Sequence, residues 1–173
     1  RFLYNRWANS YDLEFYAYGY SAPKTTFKKL SKYFDGNALD DVRLLDVGIG
    51  TGQLSHQFRK ASMKCHITGI DISEVMLKKC EDKQIADELI RIDFQTDKLP
   101  FIRDHFDASV STGVFEMMVR PDVVIQKMSD VTKHGGLVAF TVIDNEGCEE
   151  TTYDSLAGFT HTDQVIQKGI SDS

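Results

Sequence analysis

The chain has 173 residues, of which 42% are hydrophobic and 27% are charged, and its net charge at pH 7 is −6. This composition predicts one globular domain with a sizeable core, and it excludes a disordered or fibrous chain. The negative charge, without a stripe of basic residues, disfavours nucleic acid as a partner, and no apolar run approaches the roughly 20 residues of a membrane helix.

Short apolar runs rich in β-branched residues alternate with amphipathic segments, which predicts alternating strands and helices. Two helices are expected first, one over about residues 2–16 and one that begins near Ser21 with Pro23 in its first turn. The predicted elements that follow, in chain order, are a strand at 42–47, a helix at 53–60, a strand at 65–70, a helix at 73–81, strands at 89–93 and 106–111, a helix at 121–133, a strand at 136–143 entered through a Gly-Gly turn, and a helix at 149–156. This order predicts a doubly wound, mostly parallel α/β sheet with helices on both faces.

The segment LLDVGIGTGQ at residues 44–53 reads as a strand, a glycine turn and the start of a helix. Such a turn lets a ligand approach the backbone and directs helix N–H groups at it. The glycines follow the spacing G-x-G-x-G at Gly48, Gly50 and Gly52, whereas a dinucleotide fingerprint requires a glycine where Gln53 stands. Asp46 would repel a pyrophosphate and instead suits an ammonium group, directly or through water.

Two further acids follow the next strands. Asp71 lies about 20 residues after the glycine turn, the distance at which an acid accepts hydrogen bonds from ribose hydroxyls, and Ile72 beside it suits an adenine face. Asp93 could accept from an adenine amino group, with Phe94 beside the ring. The alternatives are that Asp71 is a capping or loop acid and that Asp93 is an ordinary turn residue.

With these motifs the chain resembles the class I S-adenosylmethionine-dependent methyltransferases over about residues 4–143. The matching pieces are LLDVGIGTGQL, ITGIDISEVML, the acid of RIDF, FDASVSTGVFEMM and KHGGLVAFTV. The resemblance implies a Rossmann-like sheet of order 3-2-1-4-5 and S-adenosylmethionine as cofactor. It places Asp46, Gly48 and Gly50 at the methionine and sulfonium end, Asp71 at the ribose, Ile72, Asp93 and Phe94 around adenine, and Ser111, Thr112 and Gly113 beside the methionine moiety and the substrate.

The N-terminal run YNRWANSYD also resembles a segment of the Williams–Beuren-region methyltransferase-like proteins, which forms a lid over the cofactor in related enzymes. Tyr4, Trp7 and Tyr11 share one helix face, which predicts either such a lid or ordinary core packing. We therefore expect one domain over residues 1–173, with lid helices in 1–36 and the Rossmann-like core in 37–148.

Some residues depart from relatives of this kind or exclude other chemistry. Met117 follows Glu116 where many relatives carry a histidine, and the proline motif of amino-group methylation is absent at residues 111–114. The sequence therefore identifies no general base, and the catalytic residue stays unassigned. The three cysteines lie far apart with no metal-ligand spacing, so we expect no metal, no disulfide framework and a cytoplasmic location.

The leading hypothesis is a methyltransferase acting on a small molecule. The alternatives are a cofactor-binding module without catalysis or dependent on a partner subunit, and an enzyme that uses the same fold for another reaction such as cyclisation.

The C-terminal hairpin of the family sheet is expected to be missing, in a truncated or a naturally short chain. The last strand, LVAFTVI at residues 137–143, would then be an open apolar edge. We expect it to be covered by residues 149–173, by a second chain in a homodimer or a complex with a partner, or by a hairpin of a longer protein.

Overall fold

The computed structural model describes residues 21–34, 41–143, 164–166 and 169–170. Its elements are α1 (Ala22–Tyr33), β1 (Arg43–Val47), α2 (Gln53–Lys60), β2 (His66–Asp71), α3 (Glu74–Asp82), β3 (Glu88–Arg91), β4 (Phe106–Ser111), a 3₁₀ turn (Phe115–Met117), α4 (Pro121–Val131), β5 (Thr132–Phe140), β6 (Val142–Ile143), β7 (Gln164–Ile166) and β8 (Gly169–Ile170). The predicted first helix with Tyr4, Trp7 and Tyr11, and the predicted helix at 149–156, lie outside the described residues.

The main sheet has six parallel strands in the order β3-β2-β1-β4-β5-β7. The predicted doubly wound sheet of order 3-2-1-4-5 is therefore confirmed, with β7 added beside β5. Because the strand order turns back at β1 and β4, the loops that follow these two strands diverge and open a crevice at their carboxyl ends.

Two buried clusters hold helices on opposite faces of the sheet. One cluster packs Val124, Ile125 and Met128 of α4 against strand residues such as Leu45. The other packs residues of α1 and α2 against the sheet, with Leu44 from β1. Adjacent residues of β1 therefore serve different cores, as expected for a buried parallel strand.

Helix starts follow their sequence signals with one exception. Ser73 precedes α3, and its side chain accepts a hydrogen bond from the Met76 N–H at 3.3 Å, as an N-cap does. Ser21 stands at the same place before α1 but makes no side-chain cap, because its backbone is helical rather than extended. Pro121 occupies the first turn of α4 as predicted.

The start of β5 differs from the prediction. The strand begins at Thr132, immediately after α4, and Gly135 and Gly136 lie inside it rather than in a turn before it. The register of β5 against β4 shifts between Phe106↔Thr132 and Ala108↔Leu137. A Cβ at Gly136 would approach the Asp107 carbonyl oxygen to 2.8 Å, so the glycine pair serves an irregular strand pairing and not a turn.

The C-terminal edge of the sheet carries β7, whose residues pair in parallel with Leu137, Val138 and Ala139. β6 and β8 form a separate parallel pair. Of the three covers expected for the edge at residues 137–143, the structure thus shows one from within residues 149–173. No helix among the described residues is long and apolar enough to cross a membrane.

Candidate cofactor site

The glycine turn between β1 and α2 is tied to the end of β2. The N–H groups of Gly48 and Ile49 both donate to the Ile70 carbonyl, at 2.8 and 3.1 Å. Gly48, Gly50 and Gly52 have φ angles of +72°, +55° and +80°, which residues other than glycine rarely adopt. The turn is therefore held open in one shape by backbone bonds.

The three glycines meet different surroundings. A Cβ at Gly48 would lie 2.7 Å from Val114, and one at Gly52 would clash with Cys80 of α3 and with Ile85, which follows that helix. A Cβ at Gly50 would meet only the Gly48 carbonyl oxygen, at 3.9 Å, so Gly50 faces open space. Gly50 is thus the glycine that leaves room for a ligand, whereas Gly52 is required by packing.

Asp71 ends β2 and holds the loops on both sides of it. Its Oδ2 accepts a hydrogen bond from the Gly50 N–H at 2.9 Å, and its Oδ1 accepts one from the Ser73 N–H at 2.8 Å. Burial raises the pKa of Asp71, and the backbone hydrogen bonds partly oppose that rise. A carboxylate has about four lone-pair sites, so acceptor capacity is left for a ligand hydroxyl.

Asp46 lies beneath the turn and is only 2% exposed. Its Oδ2 accepts a hydrogen bond from the Ser55 hydroxyl at 2.8 Å. Burial raises the pKa of Asp46 to about 7, the Ser55 hydrogen bond opposes this rise, and the charge of Asp71 adds to it. The carboxyl is therefore poised between its charged and neutral forms near neutral pH.

A cavity of about 270 Å³ opens above these loops, at the carboxyl ends of the strands. Its size is close to the lower limit, about 300 Å³, of ordinary small-molecule sites. The lining residues come from the start of α1, from the glycine turn and α2, from the end of β2 and the start of α3, and from the loops after β3 and β4. They are Pro23, Gly48, Ile49, Gly50, Thr51, Gln53, Leu54, Asp71, Ile72, Met76, Phe94, Gln95, Thr112, Gly113, Val114, Met117 and Met118.

Five residues of the predicted site lie together in this cavity: Gly48, Gly50, Asp71, Ile72 and Phe94. Thr112 and Gly113 line the cavity as well. Three others do not line it. Asp46 is buried beneath the turn, and Ser111 is fully buried, with its hydroxyl donating to the Val47 carbonyl at 2.8 Å. Asp93 shapes a turn, since its Oδ1 accepts from the Gln95 N–H at 3.1 Å.

The loop after β3 is fixed by a residue that sequence reasoning did not single out. The Lys127 ammonium of α4 donates to the carbonyls of Phe94, Gln95 and Asp97 at 3.0, 3.1 and 2.7 Å. Three carbonyls on one ammonium hold Phe94 at the cavity. No local motif predicts the role of this lysine, because its partners lie about 30 residues earlier in the chain.

Other lining residues were also missed, above all Pro23, Gln95 and the pair Met117 and Met118. Pro23 was expected only to start a helix, yet α1 brings it to the rim of the cavity. The apolar sequence FEMM after β4 was the one available signal for the methionines.

No histidine among the described residues lines the cavity. His66 of β2 lies 3.8 Å from both Asp87 and Glu88, and His105 lies 2.7 Å from the Arg43 guanidinium, with burial as the main cause that lowers its pKa. Glu116 is exposed and does not line the cavity. Within the described parts of the chain, no three His, Cys, Asp or Glu side chains are grouped to hold a metal ion.

The geometry agrees with comparisons to known proteins. A family model described as a methyltransferase domain matches residues 45–140, more than half of the chain. A malonyl-acyl-carrier protein O-methyltransferase from Erwinia pyrifoliae is 32% identical over 117 residues, which are 68% of this chain and 42% of that protein. A ubiquinone/menaquinone biosynthesis C-methyltransferase from Ruegeria sp. is 32% identical over 116 residues, 62% of this chain and 46% of that protein.

Among solved structures, the cyclase SpnF superposes with a TM-score of 0.53 at 28% identity, covering 65% of this chain and 43% of its own. The chain thus spans less than half of the length of each of these three relatives.

Proposed function

Because this chain belongs to the methyltransferase domain family, we propose that it binds S-adenosylmethionine in the cavity and transfers the methyl group to a small molecule. The observation that carries the proposal is the junction of the glycine turn with Asp71, which joins an open backbone and an acceptor carboxylate at one cavity. The chain thus combines membership of this family with the backbone turn and the carboxylate that we propose bind the cofactor.

The residues present fit this cofactor. Gly50 faces open space at the cavity, so a methionine moiety can approach the backbone there. Asp71 keeps acceptor capacity for ribose hydroxyls, and Ile72 and Phe94 offer apolar surfaces for adenine. Asp46 would act on the ammonium from beneath the turn, and a bridging water is the route that its burial favours.

Asp93 and Ser111 then have supporting roles, because both act through the backbone. Asp93 shapes the turn that presents Phe94 and Gln95, and Ser111 ties the end of β4 to β1. We keep Tyr4, Trp7 and Tyr11 as a proposed lid; slower amide exchange over residues 2–18 upon addition of S-adenosylhomocysteine would support that role.

When bound, S-adenosylmethionine supplies a methyl group on a good sulfonium leaving group. The chain's contribution is then to hold the two reactants in line and to exclude water, and such orientation alone can provide a large part of a rate enhancement. A general base is needed only if the attacking atom must lose a proton. The lack of an ionisable base among the described lining residues beyond Asp71 favours an acceptor that attacks without one.

The names of the relatives set the range of acceptors. One acts on malonyl-acyl-carrier protein and one in quinone biosynthesis, so a small organic acceptor is proposed here without a further name. A cytoplasmic location and a function without nucleic acid are proposed from composition, charge and cysteine spacing.

Incubation with methyl-labelled cofactor and a metabolite extract tests the proposal. We expect label in a small product, and we expect that label to be lost in Asp71→Ala. Exposed Asp82 on α3 offers a matched control, Asp82→Ala, which should retain transfer. Cofactor binding with no label transferred would instead indicate a cofactor-binding module.

A second candidate is a non-methylating enzyme on the same fold, because the cyclase SpnF is 28% identical to this chain. In that case the extract would yield a new product while the labelled cofactor stays intact.

A further inference from the structure

Two loops that line the cavity begin at strands that are not neighbours. β2 and β1 lie between β3 and β4, so the carboxyl ends of β3 and β4 are three strand spacings apart, about 14 Å. We name residues 92–97 the β3 loop and residues 112–120 the β4 loop. Gln95 of the β3 loop and Met118 of the β4 loop both line the cavity. The two loops therefore converge on one site from separate parts of the sheet.

A side-chain hydrogen bond joins the two loops. The Val119 N–H of the β4 loop donates to Gln95 Oε1 of the β3 loop at 3.1 Å. A backbone N–H can only donate, so the oxygen and not the nitrogen of the Gln95 carboxamide faces Val119. Phe94 and Phe115, one from each loop, belong to the buried cluster that also holds α4. Gln95 thus adds a directional bond where the two loops already share a core.

The β3 loop gives Gln95 a fixed base. The Gln95 N–H donates to Asp93 Oδ1 at 3.1 Å, and the Asp97 N–H donates to the Asp93 carbonyl at 2.7 Å. From α4, the Lys127 ammonium donates to the Gln95 carbonyl at 3.1 Å. Phe94 and Gln95 therefore belong to one closed turn, and a ligand that contacts Phe94 also restrains Gln95.

The two ends of the β4 loop are held by different neighbours. At its start, the Gly113 N–H donates to Thr141 Oγ1 at 2.9 Å, and Phe115 stacks on Phe140 at 4.5 Å between ring centroids. At its end, the Val119 side chain is 86% exposed, so packing contributes little to its position. Among the contacts of the described residues, the hydrogen bond to the β3 loop is the one that fixes Val119.

We propose that Gln95 is a positioning residue, which transmits the binding of the cofactor to the β4 loop. An adenine ring on Phe94 restrains the β3 loop, and Gln95 carries that restraint to Val119. A β4 loop that the cofactor has already ordered loses less conformational entropy when the acceptor binds beside it. The acceptor therefore binds more tightly to the chain that holds the cofactor. This inference rests on the function proposed above.

Residue-resolved amide exchange of the whole chain, with and without S-adenosylhomocysteine, tests the coupling. In the wild type we expect S-adenosylhomocysteine to slow exchange at residues 93–97 and also at residues 118–120. Gln95→Met removes the acceptor oxygen at similar side-chain length, so the Val119 N–H should exchange about fivefold faster, the factor for one ordinary hydrogen bond. S-adenosylhomocysteine should then still slow exchange at residues 93–97 but no longer at residues 118–120.

Gln95→Glu is the conservative variant, because a carboxylate keeps an acceptor oxygen for the Val119 N–H. It should restore the effect of S-adenosylhomocysteine on residues 118–120, which a merely structural loss in Gln95→Met would not explain. Gln126→Met is the matched control, since the Gln126 amide on the exposed face of α4 donates to Asp130 and takes no part in either loop. Urea unfolding midpoints verify that all variants fold.

Two results would overturn the coupling. Exchange at residues 118–120 that S-adenosylhomocysteine still slows in Gln95→Met would show that the cofactor orders the β4 loop by direct contact. An effect that is lost in Gln95→Glu as well as in Gln95→Met would show that the acceptor oxygen is not what joins the loops.

The same wild-type sample separates this inference from the proposed function. Slower exchange at residues 93–97 with no change at residues 118–120 overturns the coupling alone and leaves the cofactor site standing. Calorimetry without binding of S-adenosylhomocysteine, together with unchanged exchange in both loops, refutes the methyltransferase proposal and the coupling with it.

Discussion

Single residues in the glycine turn illustrate how one motif can serve two purposes. Gly50 leaves open space at the cavity, while Gly52 accommodates Ile85 and has no place in the lining. The spacing G-x-G-x-G predicted the turn and its position. It could not separate a glycine required by a ligand from one required by packing, because that depends on Cys80 and Ile85, which lie much later in the chain.

Asp46 gives a prediction at the residue scale. Its pKa is about 7 in the folded chain against an ordinary value of 3.8, so the folded state keeps a proton that the unfolded chain releases. The stabilisation that Asp46 contributes should therefore be greatest below about pH 4 and should be lost as the pH rises to about 7. At about 1.4 kcal/mol per pKa unit, the shift from 3.8 to about 7 corresponds to a loss of about 4 kcal/mol over this range.

Asp46→Asn removes this titration while its amide oxygen can still accept from Ser55. Urea unfolding at several pH values should show the full decline in the wild type and in Asp82→Asn, an exposed control, and a smaller decline in Asp46→Asn, where the raised pKa of Asp71 still contributes. Parallel pH profiles for all three proteins would show that Asp46 does not hold this proton.

Local sequence patterns predicted the helices and strands better than the connections between them. The helix at Gln53–Lys60 and the strand at Phe106–Ser111 have the bounds that the sequence predicts. The prediction of a turn at Gly135 and Gly136 was wrong, because a glycine pair also suits an irregular pairing between two strands. Only the partner strand β4 decides between these two uses.

Lys127 gives a prediction about the loop after β3. Lys127→Met keeps most of the side-chain length but removes the donor to three carbonyls. Because this lysine is partly exposed, we expect a loss of about 1–2 kcal/mol in the binding of S-adenosylhomocysteine, at the low end for hydrogen bonds to charged groups. Amide exchange over residues 94–97 should become faster.

Lys98→Met is the control, since Lys98 is an exposed lysine close to the same loop. If exchange over residues 94–97 is the same in Lys127→Met and in the wild type, the ammonium does not hold this loop.

Whether the chain stays monomeric depends on how the edge of β5 is covered. β7 pairs with the apolar strand β5, so removal of residues 149–173 would expose an edge without charges at residues 137–143. Unpaired apolar edges of this kind associate. Size-exclusion chromatography with light scattering should show association of the truncated chain at concentrations where the full chain is monomeric. A truncated chain that stays monomeric would contradict this role of β7.

Part of the candidate site could be predicted from the sequence, and part could not. Alternation of strands and helices predicted a doubly wound parallel sheet, and the resemblance to methyltransferases implied its strand order. That order brings Gly50, Asp71 and Phe94 together. Near the expected substrate, the resemblance predicted Thr112 and Gly113, whereas Met117 and Met118 carry no motif and lie in a loop that the packing of Phe115 on Phe140 anchors.

Calorimetric titration of S-adenosylhomocysteine and of NAD tests which cofactor the cavity binds. We expect that S-adenosylhomocysteine binds, that NAD does not, and that Asp71→Ala weakens the binding of S-adenosylhomocysteine by about 1–3 kcal/mol while Asp82→Ala leaves it unchanged. Tight binding of NAD with no binding of S-adenosylhomocysteine, or equal affinity in Asp71→Ala and the wild type, would contradict this prediction.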